Sequence, residues 1–161
     1  MLALRFTLII ASFLTITSST YAANFRFKEY NQSFNEWLVS CKVDTKSNNK
    51  DCFIGTPIQN DKSKGALVYT KQYMAISHED LSLKSEITLQ IDNNKAFHSY
   101  LATGSSLFFK KKDRHELTKQ MTLGKNIKIK LSHNNIITKS LKGFRDSLIY
   151  FEEQFTADHD N

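Results

Sequence analysis

Trp37-Leu38-Val39-Ser40-Cys41-Lys42-Val43 sets Trp37, Val39, Cys41 and Val43 at every second position. A strand points successive side chains to opposite faces, so these four share one face of a half-buried strand. Asp44 to Asp51 reads as a polar loop. Cys52-Phe53-Ile54 then starts a second strand, which Gly55 and Pro57 are expected to end. Cys41 and Cys52, the only cysteines of the chain, therefore fall on a strand and its neighbour.

The same period of two recurs downstream. Leu67 to Ile76, after Gly65, is a β-rich run with Tyr69 and Tyr73. Glu86-Ile87-Thr88-Leu89-Gln90-Ile91-Asp92 alternates throughout. Asp92-Asn93-Asn94-Lys95 has turn composition and predicts a hairpin that returns through Ala96 to Leu101. Ser105 to Phe109 offers another strand. Asn126 to Leu131 alternates again, and His133-Asn134-Asn135 turns it into Ile136 to Thr138. Helix is the minority. Asp113 to Met121 fits about two turns, closed by Gly124. Phe144, Leu148, Phe151 and Phe155 follow helical spacing, with Arg145, Asp146, Glu152 and Glu153 facing away. That aromatic stripe is read as the cap of an open sheet. The pattern predicts a mainly β protein, an antiparallel β-sandwich with one or two short helices, including a C-terminal amphipathic helix.

The N-terminus reads as an export signal. Met1 to Arg5 carry one positive charge, Phe6 to Ile16 are mostly apolar, and Thr20-Tyr21-Ala22 suits cleavage before Ala23. The apolar run falls short of the roughly 20 residues that span a bilayer. Residues 1–22 are thus expected to be a signal peptide and residues 23–161 a single domain of 139 residues. A domain of that size buries about two-thirds of its unfolded surface. Its formal charge falls from +6 to +5 with the loss of Arg5. Such a charge favours anionic partners, although solvated surface lysines are the plainer account of it and the preferred one. In an oxidising compartment an even pair of cysteines reads as a disulfide, here Cys41 to Cys52. Its spacing excludes a Cys-x-x-Cys redox pair, and no histidines stand at paired spacing to complete a zinc site.

Phe34-Asn35-Glu36-Trp37-Leu38-Val39-Ser40-Cys41, followed by Cys52, resembles the opening of the invasion-associated locus B family. Ser140-Leu141-Lys142-Gly143-Phe144 is similar to that family's closing Ser-Leu-x-Gly-Phe motif. The resemblance covers nearly all of the mature chain. The family usually has a second cysteine pair, Cys-x-x-x-Gly-Cys; Tyr100-Leu101-Ala102-Thr103-Gly104-Ser105 keeps only its glycine. The resemblance implies a small exported β-sandwich of the alphaproteobacterial envelope, associated with invasion of host cells, and it carries over no catalytic residue. At the matching positions Trp37 is expected in the core near the disulfide, with a sugar-stacking ring as the rival reading. Gly143 is expected to permit a close approach or an unusual backbone angle before the last helix, and Ser140 to cap that helix. Phe144 opens its apolar stripe.

Enzymatic groups do not converge in the sequence. His115-Glu116-Leu117-Thr118-Lys119 starts like a zinc-protease helix but has Lys119 where the second histidine belongs. His98 and Ser99 are adjacent, which in a strand sends them to opposite faces. His78-Glu79-Asp80 reads as a polar loop. No nucleophile elbow or phosphate-cradling glycine loop occurs. The chain is read as non-enzymatic, without a cofactor or metal. Lys110-Lys111-Lys112 with Arg114 is the candidate contact for an anionic envelope or host-surface component, against the plainer reading of a solvated loop. Lys125, Lys128 and Lys130 extend it if their strand lies alongside. Nucleic acid is a poor fit for an exported domain without a binding motif, and no protein partner is indicated. The favoured reading is an exported protein, periplasmic, outer-membrane-associated or secreted, that acts through surface contacts and has a filled core. The alternative is a periplasmic ligand-binding or inhibitor domain, which calls for a deep pocket.

Overall fold

A computed structural model describes residues 26–59, 64–79, 81, 86–99, 101–132 and 135–156. The expected signal peptide, Asp80, Tyr100, the His133-Asn134 turn and the polar tail from Asp158 lie outside the described residues. Two antiparallel sheets and two helices make up the fold. The larger sheet contains β1 (Phe27–Phe34), β2 (Trp37–Asp44), β3 (Lys50–Gln59), β4 (Lys64–Tyr69), β5 (Met74–His78), β8 (Leu101–Thr103) and β9 (Ser106–Phe108). The smaller contains β6 (Ile87–Ile91), β7 (Phe97–Ser99), β10 (Asn126–Ser132) and β11 (Asn135–Ser140). The strand orders are β1-β2-β3-β4-β5-β9-β8 and β11-β10-β6-β7, an open sandwich and not a closed barrel. Helix α1 (Lys111–Leu123) joins β9 to β10, and α2 (Phe144–Thr156) follows β11.

Alternating sequence sets the inner faces. Ile87, Leu89 and Ile91 of β6 are buried, and β10 pairs Ile127 with Ile91 and Ile129 with Leu89. Opposed apolar pairs on one face of the ladder are the unit that stabilises such a sheet. Facing them, the larger sheet contributes Val39, Ile54, Ile58, Leu67, Ile76 and Leu107 to the same core. The larger sheet is the wider of the two. Helix α2 packs on β1, β2 and β3, burying Phe144 and Phe151, while Arg145, Asp146, Glu152 and Glu153 stay exposed. The aromatic stripe does cap an open sheet.

Cys41 and Cys52 stand directly opposite in the β2–β3 ladder and form a disulfide, with Cα atoms 4.1 Å apart. Trp37 shares their face, but Val39 lies between. Its ring packs instead on Phe144, with centroids 4.8 Å apart, and its Nε1–H donates to the Ser140 carbonyl at 3.1 Å. The two segments that carry the family resemblance thus meet across 103 residues of chain. Gly143 has φ +93°, and a Cβ there would stand 2.3 Å from the Phe34 carbonyl oxygen. Gly143→Ala is therefore expected to cost about 2 kcal/mol or more, from left-handed strain and from that clash. Urea unfolding checks it, and an unchanged midpoint would show that Phe34 is not held there. Ser140 accepts a hydrogen bond from the Lys142 N–H, one turn ahead of the helix; it caps the approach and not α2 itself.

Several expected boundaries move. β3 runs on through Gly55 and Pro57, because β2 pairs with it only as far as Gly55 while β4 continues alongside to Gln59. Pro57 sits where the strand has one neighbour, a position that tolerates the missing N–H. Leu67 to Ile76 is a hairpin: Thr70 breaks the run, its Oγ1 accepting from the Tyr73 N–H at 3.0 Å. The return from the Asp92 turn also divides. Phe97 to Ser99 pairs with β6 in the smaller sheet, and Leu101 to Thr103 pairs with β9 in the larger. His78 is no loop residue; it ends β5 and is buried. β1 has no counterpart among the expected strands, since seven of its eight residues are exposed and no alternation marks it.

Candidate functional site

The basic run is helical, not a loop. Phe109 is buried and its N–H donates to the Met74 carbonyl, which anchors the chain at the edge of the core. The next residue, Lys110, caps α1 in an extended conformation without a side-chain cap bond, and Lys111 and Lys112 occupy the first turn. Three lysines at the positive end of a helix repel its dipole, by up to about 1 kcal/mol each when exposed. Only Asp113 in that turn offsets them. This unfavourable start is why the residues alone place the helix two positions later. The buried pair Leu117 and Met121, four apart, holds it in place.

Lys110 and Lys112 line a groove of about 610 Å³ between α1 and β7. Its other wall includes Lys95, Phe97, His98 and Ser99. Ser99 is buried and its Oγ donates to the Phe108 carbonyl, while His98 faces out and its Nδ1 lies 2.8 Å from Glu86 Oε1. The two side chains do point to opposite faces. Lys111 is exposed beside the groove. Arg114 turns away from this set: its Nη1 donates to the Thr70 carbonyl at 3.0 Å and to that of Lys71, and its guanidinium stands 5.8 Å from the Tyr69 ring. It braces the β4–β5 turn and leaves the proposed anion contact.

Lys128 and Lys130 are exposed on the outer face of β10. Lys130 pairs with Thr88, and Thr88 pairs with His98, so Lys130 lies two strands, about 10 Å, from the groove wall. Thr88 and His98, with the Glu86 carboxylate on His98 Nδ1, stand between the two sets of lysines. Lys125 precedes β10 at the α1 end: its N–H and that of Asn126 donate to the Asp92 carboxylate at 3.0 and 2.9 Å. Those two backbone donors hold the Asp92 carboxyl below its ordinary value. At the end of β2, one strand in from the edge of the larger sheet, Asp44 is likewise held low, chiefly by the hydrogen bond from the Arg26 guanidinium.

His115 is exposed on α1. Among the described residues no three of His, Cys, Asp and Glu cluster closely enough to hold a metal ion, and no helix is long and apolar enough to cross a membrane. The β7 side of the groove, with Lys95 and Phe97, was not legible as a site in the sequence. Its signal would have been a helix extended back to Lys111, which brings the lysines onto a wall opposite the hairpin. Compared with protein-family models, curated proteins and solved structures, the chain finds no match.

Proposed function

We propose that the mature domain is a non-enzymatic exported protein of the invasion-associated locus B type, acting through surface contacts with anionic groups of the envelope or of a host surface. The observation that carries this reading is the grouping of Lys110, Lys111 and Lys112 at the exposed start of α1, with Lys128 and Lys130 on the adjoining sheet face. An anionic surface relieves the repulsion that these lysines hold against the helix dipole. The Cys41–Cys52 disulfide is compatible with an oxidising compartment. Buried side chains from both sheets and α2 make one core, which leaves recognition to outer faces.

The test is binding of the oxidised mature domain to phosphatidylglycerol-containing vesicles and to heparin, with phosphatidylcholine vesicles as the control. Changing Lys110, Lys111 and Lys112 together to Gln should weaken vesicle binding roughly a hundredfold at low salt, at about 1 kcal/mol per lysine near the surface. Binding of the native domain should fall as salt rises. Equal binding of the triple variant, or no salt dependence, sinks the proposal.

A further inference from the structure

We infer that β1 is a self-association surface: two copies of this chain pair their β1 strands edge to edge about a two-fold axis at Tyr30, joining their larger sheets into one. This goes beyond the anionic-surface reading and stands without it. β1 is the end strand of the larger sheet among the described residues. It pairs with β2 residue for residue from Phe27 to Phe34 without a bulge, and seven of its eight residues are exposed. Edge strands are commonly blunted by shortness, proline or a bulge. β1 has none of these, and the charge of its one lysine, Lys28, is matched by Glu29.

Two observations fix which main-chain groups of β1 face outward. The Thr45 N–H donates to the Arg26 carbonyl at 2.8 Å, and the register that sets Phe27 against Asp44 puts these two residues opposite each other. Opposed residues in an antiparallel ladder alternate between pairs that exchange both hydrogen bonds and pairs that exchange none. Lys28, Tyr30, Gln32 and Phe34 therefore turn their N–H and C=O groups to β2, as Arg26 does. The cystine agrees. Cys41 and Cys52 have Cα atoms 4.1 Å apart, the close spacing of a pair without hydrogen bonds, so Cys41 bonds on its other side, to Tyr30. Phe27, Glu29, Asn31 and Ser33 are left with main-chain groups pointing away from the sheet. The Ser33 carbonyl also has Gln32 Nε2 at 3.5 Å, the limit of a hydrogen bond.

Those four residues are symmetric about Tyr30, and that symmetry selects a second copy as the occupant. Antiparallel pairing with Tyr30 opposite Tyr30 sets Phe27 against Ser33 and Glu29 against Asn31, so each outward N–H meets an outward C=O. Lys28 then faces Gln32, and no like charges oppose each other. An axis at Glu29 would oppose that carboxylate to its own copy, which destabilises a pair. An axis at Asn31 would oppose Phe27 to Asn35, a turn residue with φ 56°. At the axis Tyr30, 51 % exposed, meets its copy as the close pair of the ladder. The axis stands perpendicular to the sheet, which puts both α2 helices on one face. Each packs most on β2 and β3, about 10 Å from the axis, so the helices lie about 20 Å apart and do not collide. A two-fold contact uses each β1 edge once, and association stops at the dimer.

Sedimentation equilibrium of the oxidised mature domain, from micromolar to millimolar concentration, should show reversible monomer–dimer exchange. Asn31→Pro removes one outward N–H from each copy and leaves the β1–β2 bonds in place, a position that proline tolerates at an edge. It should weaken dimerisation roughly thirtyfold or more, and Asn31→Ala by less than about threefold. Tyr30→Lys, which sets like charges at the axis, should weaken it roughly tenfold. Photo-oxidative coupling should join the copies through Tyr30, identified by the mass of the linked peptides, and Tyr30→Phe should lose that link yet still dimerise. Urea unfolding checks that each variant folds; if Asn31→Pro does not, Tyr30→Lys, at an exposed side chain, carries the test. A monomer at every concentration, a dimer indifferent to either substitution, or coupling through another tyrosine would overturn the inference. The lysine triple variant of the vesicle test should dimerise like the native domain, which keeps the two readings distinct.

Discussion

Trp37→Ala is expected to lower the unfolding free energy by about 3–5 kcal/mol, the usual cost of emptying a large aromatic site in a core. Trp37 is 1 % exposed, and its ring packs on Phe144, itself wholly buried. The loss has two parts. One is the cavity that alanine leaves between β2 and α2. The other is the Ser140 carbonyl, deprived of the indole N–H at the point where β11 turns into the last helix. Trp37→Phe separates them, because it keeps an aromatic ring and removes only the donor, for an expected cost of about 1–2 kcal/mol. Against a total stability of about 5–15 kcal/mol, the alanine variant stands near the limit of folding. Urea unfolding followed by far-ultraviolet circular dichroism measures both. A cost below about 1 kcal/mol for Trp37→Ala would contradict the buried joint between the two ends of the chain. A sugar-stacking role would predict that mild outcome, since an exposed ring stabilises little.

The second large effect is the loss of the disulfide. Cys41 and Cys52 are separated by 11 positions, a short loop for which the chain-entropy account gives about 3 kcal/mol. Cys41→Ala with Cys52→Ala should lower stability by about that amount and leave the fold intact, because both positions lie on a ladder already paired from Val43 to Leu38. Guanidinium unfolding of the oxidised, reduced and doubly substituted domains gives the three values. Equal midpoints for oxidised and reduced protein would remove the brace from the account. The same bond also reports on place. Protein taken from its producing cell under acid quench should show no alkylatable thiol without reductant. Two free thiols in that sample would count against an oxidising compartment, and with it against export.

How far the residues alone reach is clearest strand by strand. Ile87, Leu89 and Ile91, and then Ile127 and Ile129, announce their inner faces by period, and each is fully buried in the structure. Phe144 and Phe151 announce the helix that covers the larger sheet in the same way. The candidate site is legible only in part. Lys110, Lys111 and Lys112 stand out as a charge run, yet their helical setting is hidden by a start that works against the dipole. Arg114 looks like one of them by sequence and is turned to the Thr70 carbonyl by packing.

Composition and periodicity by themselves determined a mainly β domain, the strand that carries Trp37 and Cys41, and the amphipathic helix at the end. Those are local properties, because a repeat of two or of nearly four residues commits a side chain to a face whatever lies beyond it. Tertiary structure alone decided which strands are neighbours. It recruited the exposed β1, carried β3 past Pro57, assigned Phe97–Ser99 to one sheet and Leu101–Thr103 to the other, and brought Trp37 against Ser140 and Phe144. Pairing and burial join residues far apart in the chain, and a pattern that names the buried face of a strand carries no record of what will cover it.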